Sequence, residues 1–272
     1  MNNRAKLYAV FLSLIVLSIG CDKNDTQVLE PRNWSLVWAD EFEGDSLTSP
    51  DSLKWTYELG NGEGGWGNKE LQSYTNEPQN VSLDGKGNLV LRTIKNGNNF
   101  TSARIKTQGL FKQQYGRFEA RLKTPYGPGL WPAFWMLGDN ISDVSWPKCG
   151  EIDVMELRGQ APNIVNGTLH GPGYSGGNSI TKGYALTNER FDTKYHVFAI
   201  EWDANKIDFF IDDFLYQRIK KEDVPGTWVY DQPFYMILNV AVGGNYVGFP
   251  TSETIFPQTM TVDYVRVFKT SN

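Results

Sequence analysis

Three carboxylates fall within six residues, at Glu151, Asp153 and Glu156, inside the apolar run "GEIDVMELRG". Carboxyl groups held together can divide acid–base work. One ionised group attacks or stabilises positive charge, while a second, kept protonated, hands a proton to a leaving atom. Strand alternation places Glu151 and Asp153 on one face and, by parity, sends Glu156 to the other. A single β-bulge near Val154 or Met155 adds one residue, resets the alternation and returns Glu156 to the face of its partners. Glu151 and Glu156 then lie about four strand steps apart, roughly 13 Å between Cα atoms. Side chains leaning together across the bend approach the ~5–5.5 Å at which two carboxyls can serve one carbon–oxygen bond. The competing reading, acids scattered on a solvated outer face, needs no bulge.

Trp131, Trp135 and Trp146 stand just before the acids in "GPGLWPAFWMLGDN" and "VSWPKCGEIDVMELRG". Indole faces are broad, rigid apolar surfaces that suit the C–H faces of pyranose rings. A sugar platform beside two carboxylates points to glycoside hydrolysis, with the third acid holding the other two in opposite protonation states.

Strand signals dominate the elements that must carry these residues. "WSLVWADEF", "GNLVLRTI", "YGRFEARLKT", "YHVFAIEW", "KIDFFIDD", "FYMILNVAV" and "MTVDYVRVFK" are β-branched and aromatic runs of strand length, separated by Gly, Asn, Asp or Pro. "DANK" reads as a hairpin turn, and no long amphipathic helix is patterned. With 27 glycines, 13 prolines and 14% aromatic residues, the expected fold is all-β, antiparallel sheets packed face to face in one domain.

The first residues differ. Arg4 and Lys6 precede the apolar run "LYAVFLSLIVLSIG", which is short for a membrane span and ends at Cys21. "LSIGC" resembles a bacterial lipoprotein signal. Residues 1–20 are then a signal peptide, Cys21 the lipidated residue, 21–32 a tether and 33–272 the folded domain, held outside the cytoplasm on a membrane. An uncleaved anchor gives the same placement. The formal net charge of −5 and the lack of a basic patch exclude nucleic acid as a partner. Cys149 is the other cysteine, so neither a disulfide framework nor a structural zinc is expected.

"WPAFWM" followed by "GEIDVME" closely resembles glycoside hydrolase family 16, in its laminarinase-like branch. The likeness runs through "WADEF", "NKELQSYT", "GRFEARLK", "NGTLHGP", "FAIEWD", "LNVAVGGNYVG" and "VDYVRVF". It implies a β-jelly-roll of two curved antiparallel sheets with a concave substrate cleft. By that match Glu151 is the nucleophile, Asp153 the supporting acid and Glu156 the general acid/base of a retaining endo-β-glucanase acting on β-1,3- or mixed-linkage glucan. Members with the shorter Glu-x-Asp-x-Glu lack the bulge; this chain has the extra residue. The resemblance also places Asn68, Glu70 and Tyr74 near the donor subsites, His170 at the bound sugar or the acid/base, and Trp131, Trp135, Trp146, Arg158 and Asn239 along the chain of sugars. It implies no cofactor for catalysis, and a structural calcium on the convex side near Glu43, Gly87 and Asp263. A monomer with a β-glucan substrate is expected. A non-catalytic glycan-binding protein is the alternative from another class. An agarase- or carrageenase-like hydrolase is kept open by Arg104, Lys106 and Arg158.

Three other patterns carry less. "GYSGG", Gly173–Gly177, fits a nucleophile elbow but lacks the strand before and helix after it. "GNGEGG", Gly60–Gly65, matches a dinucleotide fingerprint without its strand–helix unit and reads as a flexible loop at the cleft rim. His196 shares its strand face with Phe198, Ile200 and Trp202 and reads as a core histidine.

Overall fold

The computed structural model describes residues 32–271. The signal peptide, Cys21 and nearly all of the tether read from the sequence lie outside the described residues. The first half of the domain contributes β1 (Trp34–Asp40), β2 (Thr56–Tyr57), β3 (Gln72–Tyr74), β4 (Val81–Leu83), β5 (Leu89–Asn96), β6 (Asn99–Ser102), β7 (Arg104–Lys106) and β8 (Gly116–Lys123). The second half contributes β9 (Leu130–Gly138), β10 (Glu151–Leu157), β11 (Ile164–His170), β12 (Ile180–Ala185), β13 (His196–Trp202), β14 (Lys206–Ile211), β15 (Phe214–Lys220), β16 (Phe234–Val242) and β17 (Gln258–Thr270). Each run read as a strand is one, and "DANK" closes the β13–β14 hairpin, with Asp203 Oδ1 accepting from the amides of Asn205 and Lys206.

Two sheets form a jelly-roll sandwich. One follows the order β15-β14-β13-β8-β17-β5-β6-β3, with β1 also on β17 and β4 also on β5; the other follows β12-β11-β10-β9-β16-β7-β2. Pairing is antiparallel except where β3 runs parallel to β6, a departure from the purely antiparallel expectation. The sheets close on Phe118, Phe198, Trp202 and Phe209 from one side and Phe134, Met136, Leu238 and Val240 from the other. Each such side chain contributes about 1.5–3 kcal/mol by leaving water. His196 lies in this interior against Phe191 and Phe198, its Nδ1 2.6 Å from Asp212 Oδ2. Cys149 is buried and unpaired.

β10 lies near the middle of the seven-stranded sheet, with β9 and β11 as its neighbours. Ile152, Val154, Met155 and Leu157 enter the core, which leaves the acids on the outward face.

Candidate active site

The bulge falls where the spacing of the acids requires it. Against β9, Asp153 pairs with Trp135 and Met155 with Phe134, so Val154 has no counterpart. Against β11, Asp153 pairs with Thr168 and Glu156 with Asn166, leaving only Gly167 opposite Val154 and Met155. Two consecutive side chains therefore point inward, and Glu156 returns to the face of Glu151 and Asp153. Gly167 makes room for this: a Cβ there would come within 2.4 Å of the Tyr216 hydroxyl and 2.5 Å of the Phe209 ring.

Each acid has a distinct set of neighbours. Trp146 Nε1–H donates to Glu151 Oε2 at 2.7 Å, and Trp131 Nε1–H donates to Glu156 Oε1 at 3.0 Å. Thr168, on the strand beside β10, donates to Glu156 Oε2 at 3.2 Å. Asp153 sits between the glutamates and hydrogen-bonds to Glu151. His170 Nε2 lies 3.2 Å from Asp153 Oδ2 and 4.0 Å from Glu151 Oε1. Asp153 is 3% exposed and Glu156 8%, while the Glu151 side chain, at 17%, opens most to solvent.

Enclosure of three like charges makes full ionisation expensive. Burial, and then the Asp153 charge, push Glu151 up to about 8. Burial and the Glu151 charge push Glu156 up to about 7. Asp153 rises well above its ordinary value, through burial and then Glu156. The indoles, Thr168 and His170 pull the glutamates back down. The three titrate as a unit and retain protons near neutral pH.

This has a consequence for stability. A carboxyl whose folded pKa is raised contributes stability below its ordinary value and loses it as pH climbs to the folded one. The Glu156 share is therefore lost between about pH 4.5 and pH 7. Glu156→Gln, which carries no charge to bury, is expected to melt close to wild type at pH 5 and several degrees above it at pH 8. Calorimetric scans across that range check this, and an unchanged or lowered Tm at pH 8 contradicts it.

The predicted sugar-facing residues separate into surface and support. Trp135 Nε1–H donates to Asn239 Oδ1 at 2.7 Å, and Asn239 Nδ2 donates to the Tyr74 hydroxyl at 3.1 Å. Asn68 and Gln72 donate to the two oxygens of Glu70. Tyr74 and Glu70 are both buried, and each meets the site through a neighbour. They brace Asn239 and Asn68 through those bonds. The loop read as a flexible rim is tied to this region at Asn61, which donates to the carbonyls of Glu70 and Gln72, and just beyond it the Trp66 ring packs on Tyr74.

Trp66, Tyr246 and Thr168 were missed as site residues. The Arg104 guanidinium lies between the Trp66 and Trp135 rings, 4.7 Å from each centroid. On the other flank the Tyr246 ring meets Trp131 at 4.9 Å and carries Arg158 at 4.2 Å, while its hydroxyl accepts from Asn166. Both aromatics were in view within "GWGNK" and "GGNYVG", but nothing local to them signals contact with residues 38 to 115 positions away. Arg104 and Lys106 are each bound to Glu58, at 2.6 and 2.7 Å, so neither is a free cation for a sulfated chain.

On the other sheet, a Cβ on Gly87 would lie 3.5 Å from Glu43 Oε1 and 3.9 Å from the Glu41 carbonyl oxygen. Hard oxygen donors gather there, as calcium prefers. Asp263, however, is paired with Arg121, so as a third ligand it fits only if the guanidinium yields.

A two-sheet jelly roll presenting a carboxylate trio between indoles defines a carbohydrate-active protein. The model of glycosyl hydrolases family 16 matches residues 68–266. The chain belongs to that family. It is 38% identical to a beta-glucanase of Rhodothermus marinus, over 99% of this chain and 95% of that protein. The laminarinase catalytic domain of Thermotoga maritima superposes with a TM-score of 0.82 at 43% identity, covering 88% of this chain and all of that one. The endo-β-1,3-glucanase of Pyrococcus furiosus gives 0.83 at 44% identity, covering 89% and 96%.

Proposed function

We propose that this protein is a retaining endo-β-glucanase that cleaves β-1,3-glucan, mixed-linkage β-1,3-1,4-glucan or both. The observation that carries the reading is the bulge at Val154–Met155, which turns Glu156 onto the face of Glu151. In the first step a Glu151 oxygen bonds to the anomeric carbon as the glycosidic C–O bond breaks, and the Glu156 proton passes to the departing oxygen. In the second, Glu156 takes a proton from water, whose oxygen displaces Glu151. Because Trp146 holds Oε2 of Glu151, Oε1 is left for the attack. Asp153 and Glu151 share a proton, and its passage to Asp153 lets Glu151 carry charge beside Glu156.

Trp131 and Tyr246 flank Glu156, and Trp146 flanks Glu151, so the sugar chain runs along the row of acids. No cofactor enters these steps. The pairing of Arg104 and Lys106 with Glu58 weighs against a sulfated chain such as carrageenan, and the complete trio favours an enzyme over a binding module. Digestion of laminarin, barley glucan, agarose and carrageenan, followed by mass analysis, should release oligosaccharides from the first two alone. Absence of reducing ends from both glucans would overturn the reading.

Two further parts of the proposal concern attachment and metal. Lipidation at Cys21 would hold the domain as a monomer on an exported membrane face, and Cys21→Ser should move it to the soluble fraction. A structural calcium near Glu43 and Gly87 would raise Tm relative to chelator without changing kcat.

A further inference from the structure

His170 ends β11 directly opposite Glu151. Its Nδ1 accepts a hydrogen bond from the Gly176 amide at 3.0 Å. A nitrogen that accepts carries no proton, so the neutral ring holds its hydrogen on Nε2. Nε2 is the ring atom nearest Asp153 Oδ2 and Glu151 Oε1, at 3.2 and 4.0 Å; its N–H is not aligned for a hydrogen bond to either, and Asp153 Oδ2 is buried with no partner.

Gly176 belongs to the "GYSGG" segment, which the hydrolytic steps leave without a role. Gly171 and Tyr174 exchange both backbone hydrogen bonds, and the turn at Gly176–Asn178 follows at once. Gly176 has φ +57°, yet a Cβ there would meet nothing within 4 Å. Backbone conformation therefore selects this glycine, and that conformation aims its N–H at the ring. The base of the segment is fixed from below: the Tyr230 hydroxyl donates to the His170 carbonyl at 2.9 Å, and the Tyr174 hydroxyl donates to the Thr227 carbonyl at 3.0 Å. The Trp146 ring lies 5.9 Å from the imidazole.

We propose that the 173–179 segment is a tautomer lock: the Gly176 amide keeps Nδ1 of His170 unprotonated, so that the ring's proton sits on Nε2, beside the Asp153–Glu151 pair and free to swing onto it when the nucleophile carries charge. His170 is then a positioning residue for the nucleophile. Its effect on turnover rests on the reading of Glu151 given above, whereas the tautomer does not. Protonation of Nδ1 would set N–H against N–H and break the contact with Gly176, so the ring and the segment move together. The titratable groups around the ring are Glu151 and Asp153 on β10, with Glu156 beyond them, and Tyr174 and Tyr230 beneath. Removing the Nε2 donor should let Glu151 hold its proton to higher pH, because an N–H beside a carboxylate favours its ionised form.

The chain has two histidines, so the full-length protein labelled with 15N-histidine shows two imidazoles. His196, with Nδ1 against Asp212, holds its proton on Nδ1 and serves as the internal contrast and fold control. The expected spectrum has His170 protonated on Nε2 and bare at Nδ1; an Nδ1–H signal at His170 overturns the lock. His170→Phe should lower kcat by about 10- to 100-fold, the worth of one hydrogen bond to the charged nucleophile formed as its leaving sugar departs. It should also move the acidic limb of the pH profile upward with little change in KM. His170→Gln, whose amide N–H reaches the same point, should recover most of that loss. Equal losses in both variants, with the His196 signals unchanged, overturn the positioning role. Activity in Glu151→Ser would instead overturn the nucleophile and leave the tautomer standing.

Discussion

Glu151→Ser is expected to keep the fold and lose turnover on laminarin by at least ~10⁴-fold, the scale seen when a nucleophile is removed from a site that acts as a unit. No neighbour can replace it. Asp153 is buried behind it, Glu156 is committed to Trp131 and Thr168, and the His170 Nε2 faces carboxylates. The fold should survive because the trio opposes stability near neutral pH, so deleting one charge relieves repulsion. The shorter side chain also leaves room at the anomeric carbon. Azide, as a small external nucleophile, should restore part of the turnover and yield a glycosyl azide of inverted configuration, whereas the wild type retains configuration. Steady-state rates with and without azide, together with a melting curve, check this. Unchanged turnover in a folded variant would remove Glu151 from the chemistry.

The second large effect comes from the bulge. Inserting one alanine after Met155 should abolish activity, because parity then turns Glu156 into the core and swings Leu157 outward. Deleting Met155 should do much less to the site. Without the extra residue Val154 faces in and Glu156 still faces out, as in the shorter Glu-x-Asp-x-Glu pattern. The deletion removes a fully buried side chain, which costs about 2–5 kcal/mol, and it shifts the spacing of the glutamates. A lower Tm with measurable activity is therefore expected. If the deletion variant is folded and as inactive as the insertion, the facing of the acids does not depend on strand parity and the account of β10 is wrong.

Much of this was legible in the chain. Alternating β-branched and aromatic runs identified the long strands because burial on one face imposes a period of two. The misfit of Glu156 with that period located the bulge to within one residue. The indoles of Trp131 and Trp146 were legible as neighbours of the acids, although their N–H groups, not only their faces, engage Glu156 and Glu151.

Other parts had no local signature. Tyr74 shows no partner in "NKELQSYT", and only the parallel pairing of β3 with β6 and its bond to Asn239 put it behind the site; Glu70 is closed in by Asn68 and Gln72. Arg104 reads as a free cation until Glu58 and two indoles, each distant in sequence, close around it. Asp263 shows no partner in "VDYVRVF", yet it meets Arg121 across the sheet. The Gly176 amide has no side chain to flag it, so its hold on His170 was invisible before the turn was seen. Glu70 aside, each case depends on a contact that chain closure creates and no short window contains.

The central claim is that Glu151 forms a bond to sugar while Glu156 moves protons. A 2-deoxy-2-fluoro β-glucosyl donor with a good leaving group slows both steps, the second more in effect, because water is a poor nucleophile while the activated leaving group still departs. Incubation with the wild-type protein followed by peptide mass analysis should reveal one added fluoroglycosyl unit, on the peptide that begins beyond Trp146 and at Glu151. A label on Glu156, or none while the donor is still being consumed, would contradict the account.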